Sequence, residues 1–179
     1  KKFLGPIVDR TPFEALSANG IFTMMHSGRW YMWYASGTNW KKIGDKWEHL
    51  YELRSGYSND GINWSRNNER IFENKIPDEA NTRPSVIKID DKWHMWFCYR
   101  GSDDFRDGKG AYRIGHACSN DLLHWNRDDE KAGIDVSPDG WDSTMIAYPY
   151  VVRAKEKIYM FYNGNGFGQS GFGFAELVE

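Results

Sequence analysis

Trp30-Tyr31-Met32-Trp33-Tyr34 returns as Trp93-His94-Met95-Trp96-Phe97 and again as Ile158-Tyr159-Met160-Phe161-Tyr162. The three runs start at 30, 93 and 158, so the repeat is 63 and then 65 residues long. Each run is aromatic or β-branched, has strand length and carries methionine at its centre, which predicts a strand. A second element follows the first two runs. Ser58-Asn59-Asp60-Gly61-Ile62-Asn63-Trp64 matches Ser119-Asn120-Asp121-Leu122-Leu123-His124-Trp125. Serine and aspartate at this spacing favour a turn closed by side-chain-to-backbone hydrogen bonds, and the tryptophan opens the next strand. A third element precedes each run: Ile21–Met25, Pro84–Ile89 and Pro149–Arg153. The short turns Ser27-Gly28-Arg29, Asp90-Asp91-Lys92 and Lys155-Glu156-Lys157 join these to the aromatic strands as hairpins.

Each unit thus has four strands. Four antiparallel strands at this period predict an all-β chain, a β-propeller of four-stranded blades. About three blades fit, at approximately 13–72, 80–137 and 145–179, within a single domain over 1–179. Gly173-Phe174-Ala175 matches Gly115-His116-Ala117, so the third blade runs out of chain before its fourth strand. Residues 3–8 are an expected closing strand. Three blades with raw edges imply either part of a larger propeller or a homodimer that completes a ring.

Composition sets the outer bounds. Nine Trp, ten Tyr and ten Phe make 16% of 179 residues, enough for a core with little aliphatic help. A net charge of −2 argues against a nucleic-acid partner. No apolar run approaches the ~18 residues of a membrane span, and Lys1–Pro6 is too short for a signal peptide, so a cytoplasmic protein is expected. Cys98 and Cys118 are expected as reduced thiols. No histidine set has zinc-ligand spacing. The glycine-rich run 163–173 follows a strand with no helical pattern after it, so it is not a dinucleotide fingerprint. No metal and no cofactor are expected.

Several stretches resemble a known group. Ser58–Trp64, Lys92–Phe97, Arg83–Ile87, Leu4–Pro12, Gly140–Pro149 and Met160–Gly168 resemble the five-bladed propeller glycosidases, the superfamily of glycoside hydrolase families 32, 43, 62 and 68 with the related family 130 mannoside phosphorylases. Within that group they resemble uncharacterised glycosidase-like proteins of bacterial polysaccharide loci. The resemblance implies a carbohydrate-active protein whose carboxylates come from several blades. Two departures stand out. Such enzymes carry about five blades, more than fit here. Gly61 directly follows Asp60, which breaks the sialidase Ser-x-Asp-x-Gly-x-x-Trp box.

In a propeller, ligands sit where loops lead into the innermost strands. Three such loops each bring an acid: Glu14, Glu79 and Asp142. Glycoside hydrolysis needs two carboxyl groups across the scissile bond, so these three are the candidate catalytic residues, against a plainer reading as surface acids or turn-formers. Arg83 heads an inner strand before Pro84. It is a candidate to bind a carboxylate, phosphate or sugar hydroxyl through its planar fork, or else an ion-pair partner of Glu79 or Asp142. Tyr148 holds the equivalent place before Pro149. Asn39 and Trp40, Arg100, and Asn163 and Asn165 follow aromatic strands and complete the candidate substrate-binding set. Three readings stay open: a glycosidase or glycoside phosphorylase, a non-catalytic sugar-binding propeller, and a protein-interaction scaffold.

Overall fold

A computed structural model describes residues 2–106 and 108–178; the domain bounds 1 and 179 lie outside them. Three antiparallel sheets stand side by side in chain order. The first holds β1 (Ser17–His26), β2 (Arg29–Ile43), β3 (Lys46–Ser58) and β4 (Ser65–Arg66). The second holds β5 (Ala80–Ile89), β6 (Lys92–Arg100), β7 (Arg113–Ser119) and β8 (Asn126–Arg127). The third has β9 (Ala147–Ala154), β10 (Lys157–Asn163) and β11 (Phe172–Glu176), and no fourth strand among the described residues. These are the blades of a propeller, with the aromatic repeat on the second strand of each.

The repeat is aromatic because that strand is covered on both faces. Met32, Trp33 and Tyr34 are all buried, as are Met95, Trp96 and Phe97, so a continuous apolar run replaces the alternation of a half-exposed strand. Trp33 of the first blade meets Trp125 of the second edge-on at 5.6 Å, among Val86, Met95 and Phe97. Trp96 of the second blade faces Val151, Ile158 and Met160 of the third, and its indole N–H donates to Ala132 O at 3.0 Å. Phe161 takes the same place in the third blade and is partly exposed, since no described blade follows it.

The Ser/Asp turns repeat atom for atom. Ser58 Oγ accepts the N–H of Asp60 and Gly61, and Asp60 Oδ1 accepts those of Ile62 and Asn63. Ser119 and Asp121 do the same for Asp121, Leu122, Leu123 and His124. Leu122 even adopts the left-handed φ of 69° that Gly61 holds at 73°.

Residues 3–8, the expected closing strand, form no strand. Pro6, Ile7 and Val8 lie instead beside Ala18, Asn19 and Ile21 at β1, at the opposite end of the array from β11. Pro6 lacks the backbone N–H that a ladder needs. Among the described residues no helix is long and apolar enough to cross a membrane.

His94 on β6 and His116 on β7 place their ring nitrogens 3.0 Å apart. Burial, then the His94 ring, lower the His116 pKa from 6.5 to about 4. The unfolded chain therefore binds a proton here before the folded one does, so stability is present above pH 6.5 and lost as pH falls toward 4. This site alone should cost about 2–3 kcal/mol by pH 4. Urea titrations should show a slope between pH 6.5 and 5, above the carboxylate range, that flattens in His116→Gln. An unchanged slope there would remove the histidine from the account.

Candidate functional site

Each innermost strand breaks its pairing at one position. Register shifts fall between Asn19 and Phe22 in β1, between Thr82 and Ser85 in β5, and opposite Phe161 and Asn163 in β9. The residues there have left-handed φ: Gly20 at 59°, Arg83 at 53° and Tyr148 at 60°. Glycine accepts this conformation freely, whereas a residue with a side chain is strained by of order 1–3 kcal/mol, a strain that clusters at functional sites. A Cβ on Gly20 would lie 2.8 Å from Thr82 Oγ1 and 3.6 Å from the Arg83 nitrogen, so the first two bulges abut and a side chain here would displace the Thr82 hydroxyl. Bulges re-aim side chains, and these present Arg83 and Tyr148 together.

The Arg83 side chain is exposed and lies over the Tyr148 ring at 5.6 Å. It makes no hydrogen bond or ion pair with the described residues, so the ion pair to Glu79 or Asp142 does not form. The Tyr148 N–H donates to Cys98 Sγ at 2.7 Å. Burial pushes the Cys98 thiol up to about 12 and the Tyr148 hydroxyl up to about 12, so both stay protonated at neutral pH.

A polar aromatic wall continues from Tyr148. Tyr112 stands 5.7 Å from it, and the Tyr112 and Tyr51 hydroxyls are hydrogen-bonded to each other. Arg100 Nε donates to Tyr51 Oη at 3.1 Å, while its terminal nitrogens donate to the carbonyls of Gly101 and His49, each at 2.8 Å. Its guanidinium lies 3.8 Å from the centre of the Phe105 ring. Arg100 was expected to bind substrate. It is buried with every nitrogen engaged within the chain. His49 stacks on Trp40 at 4.7 Å, and Trp40 keeps 47% of its surface exposed. Asn39 Oδ1 accepts the Trp40 N–H at 2.8 Å, and the Asn39 residue is exposed. Lys41 braces this long β2–β3 hairpin against the second blade through Asp78 at 2.8 Å and Asp103 at 2.9 Å. His49, Tyr51 and Tyr112 were not legible as site residues. Their one sequence signal is a place at the loop ends of strands two and three.

The three loop acids are each buried with partners of their own. Glu14 is 1% exposed; it accepts the Tyr34 hydroxyl at 2.7 Å and pairs with Arg66 at 3.1 Å and Arg54 at 3.4 Å. Glu79 is 3% exposed; it pairs with Arg127 and accepts the N–H of Lys75 at 3.0 Å and Ile76 at 3.2 Å. Asp142 is 4% exposed and accepts the Tyr162 hydroxyl at 2.9 Å. Every partner belongs to the acid's own blade. Each of the three carboxylates is thus buried and engaged by side chains or backbone of its surroundings. Asn163 and Asn165 are half-buried and hydrogen-bonded within the chain. Asn165 Oδ1 accepts from Thr144 and Met145 while its Nδ2 donates to Gly140 O at 3.0 Å, and Asn163 Nδ2 donates to Phe167 O at 3.2 Å. They pin the glycine-rich loop, and both amide atoms of Asn165 are engaged in doing so.

No protein-family model matches the chain. An uncharacterised protein of Mycobacterium tuberculosis is 35% identical over 173 residues, 96% of this chain and 54% of that protein. A β-1,2-mannobiose phosphorylase of a Thermoanaerobacter species is 26% identical over 132 residues, 70% of this chain and 42% of that one. Among solved structures, a family 117 glycoside hydrolase of Zobellia galactanivorans superposes with a TM-score of 0.71 at 15% identity, over 94% of this chain and 54% of that one. The chain spans about half the length of the curated relatives it matches.

Proposed function

We propose, from a fold shared with the propeller glycoside hydrolases, that this chain is glycosidase-like and carbohydrate-active, and that it binds an oligosaccharide or polysaccharide on the wall running from Arg83 through Tyr148 to Trp40. The observation that carries the reading is Arg83. A strained backbone presents an exposed guanidinium, without an ion pair among the described residues, over an aromatic ring. Aromatic rings take the C–H faces of a sugar, and a guanidinium fork donates to its hydroxyls or to a carboxylate. Trp40 extends the platform at the far end.

This wall supplies binding. Hydrolysis needs two carboxyl groups across one bond, and Glu14, Glu79 and Asp142 are each held inside a separate blade. A sugar-binding role is therefore the reading the geometry supports best, with cleavage resting on a carboxylate pair other than these three.

The test is a glycan array followed by calorimetric titration of whichever oligosaccharides are captured. Arg83→Ala should weaken binding about tenfold or more, the effect of removing a charge-assisted hydrogen bond of about 1.5–3 kcal/mol, while the far-ultraviolet spectrum is unchanged. Capture of no glycan, or equal affinity in R83A, would overturn the assignment.

A further inference from the structure

Blades one and two meet around Trp33, Met95 and Trp125, and beside that contact they part around a cavity of about 540 Å³. This lies inside the ~300–1,000 Å³ range of small-ligand sites. One wall is the face of β2 and β3 that carries Tyr31, Ser55 and Tyr57. The other is the Ser/Asp turn of blade two at Leu122–Trp125, and the exposed Asn67, Glu69 and Arg70 stand at the rim. Every lining residue belongs to the first two blades. The cavity is remote from the Arg83 wall: Tyr31 and Trp40 are nine residues apart on β2, about 30 Å of strand.

The cavity holds polar groups that the chain leaves unused. Ser55 is 5% exposed, and its hydroxyl has no hydrogen-bond partner among the described residues. Buried polar groups are normally bonded, so an unpartnered one that lines a cavity marks a contact for something else. Leu53, Ser55 and Tyr57 alternate toward blade two, and Leu53 is in the core with Trp125. Tyr31 and Tyr57 pair directly across the β2–β3 ladder, which sets both rings on that same face. Neither tyrosine hydroxyl is hydrogen-bonded among the described residues.

Charge selects the class of ligand. The cations that line the cavity are already matched: Arg66 with Glu14 at 3.1 Å, Arg70 with Glu73 at 3.3 Å and His124 with Asp121 at 2.7 Å. Arg29, beside them, lies over the Tyr57 ring at 5.0 Å. An anion would meet no free cation on these walls. No cluster of acids, histidines or cysteines fit for a metal ion is gathered among the described residues. What remains is the Ser55 hydroxyl, two phenols, the Asn67 amide and the Glu69 carboxylate around two aromatic rings. Mixed donors and acceptors beside apolar rings suit a ligand that is neutral, rich in hydroxyls and apolar on its C–H faces. We propose that this cavity is a second saccharide site, which takes a neutral oligosaccharide with its C–H face on Tyr31 and Tyr57 and a hydroxyl on Ser55 Oγ. Two sites on one chain would hold a polysaccharide at two points, the second contact being made at the effective concentration that the first imposes. The cavity stands on its own residues and does not require the Arg83 wall.

Titration of the nitrogen-15-labelled chain with maltotriose, cellotriose and xylotriose tests this. The amides of Ser55, Tyr57, Asn67 and Leu123 should shift with at least one of the three, and with none of glucuronate, inorganic phosphate and choline. Ser55→Ala should weaken the binding about fivefold, the effect of one lost hydrogen bond, and Tyr57→Ala roughly tenfold. S55A removes a single oxygen and Tyr57 is 41% exposed, so both variants should keep the amide spectrum of the remaining blades. Arg83→Ala should leave the cavity shifts and their midpoint unchanged. Sugar-induced shifts confined to Arg83 and Tyr148 would keep the wall and overturn the second site, whereas shifts confined to the cavity would support the second site and overturn the wall. No cavity shift with any of the three sugars, shifts produced by a charged compound instead, or an affinity indifferent to both S55A and Y57A would each overturn the proposal.

Discussion

Replacing Arg127 by alanine should remove about 3–5 kcal/mol of folding free energy, the cost of breaking a buried ion pair from one side. Arg127 reaches from β8, the last strand of the second blade, across to the loop that leads into its first strand. It pairs there with Glu79 and, just beyond its own strand, with Asp129 at 2.9 Å. Its side chain is 4% exposed and that of Glu79 is fully buried. The guanidinium also lies between rings, 5.3 Å from Phe72, 5.1 Å from Phe97 and 5.0 Å from Tyr99. Truncation would strand the Glu79 carboxylate with only the backbone N–H groups of Lys75 and Ile76, and would open a cavity among three aromatics. Both effects act in the same direction. Arg127→Met with Glu79→Gln should recover much of the loss, because it removes the stranded charge and keeps the volume. Urea denaturation of the two variants checks this. A loss below about 1 kcal/mol for R127A, the range of a surface pair, would mean that the blade is not stapled here.

The repeat was legible because the propeller imposes it on single strands. A strand covered on both faces must be apolar along its length, and a Ser/Asp turn needs its two side chains at fixed offsets. Both constraints are local, so Trp30–Tyr34 and Ser58–Trp64 show them without help from the rest of the chain. Arg83 and Tyr148 were singled out for a reason that is also local. Each precedes a proline at the head of an inner strand, a local sequence mark, whereas the left-handed backbone that they share with Gly20 shows only in the structure. The partners of the acids were not legible, because they are set by residues far away. Glu79 is answered by Arg127 and Glu14 by Arg66, 48 and 52 residues on. The wall behind Tyr148 is non-local in the same sense: Tyr51 and Tyr112 meet from different blades, and Arg100 is fixed by the His49 carbonyl.

Glu14→Gln should cost about 3 kcal/mol, while Asp142→Asn should stay within about 1 kcal/mol of the unaltered chain. The two acids occupy equivalent places and share the tyrosine hydrogen bond, so the comparison isolates the cations. An amide oxygen still accepts the Tyr162 hydroxyl, and at Asp142 there is no cationic partner to lose among the described residues. Burial and the Asp142 carboxylate together push the Tyr162 hydroxyl up to about 12, so it remains the donor in either variant at neutral pH. At Glu14 the amide loses two ion pairs. Arg54 keeps Glu52 at 2.8 Å, but Arg66 has no other ion pair among the described residues. The new amide also points one N–H group into a site lined by donors. The cost therefore approaches that of an unpaired buried charge. Catalytic acids behave in the opposite way: removing their charge leaves stability unchanged or raised and removes turnover. Equal costs at the two positions would dissolve the distinction between a filled and an unfilled staple. A large cost at 14 beside a small one at 142 would tie the difference to the arginines that close on Glu14 and have no counterpart among the described residues of blade three.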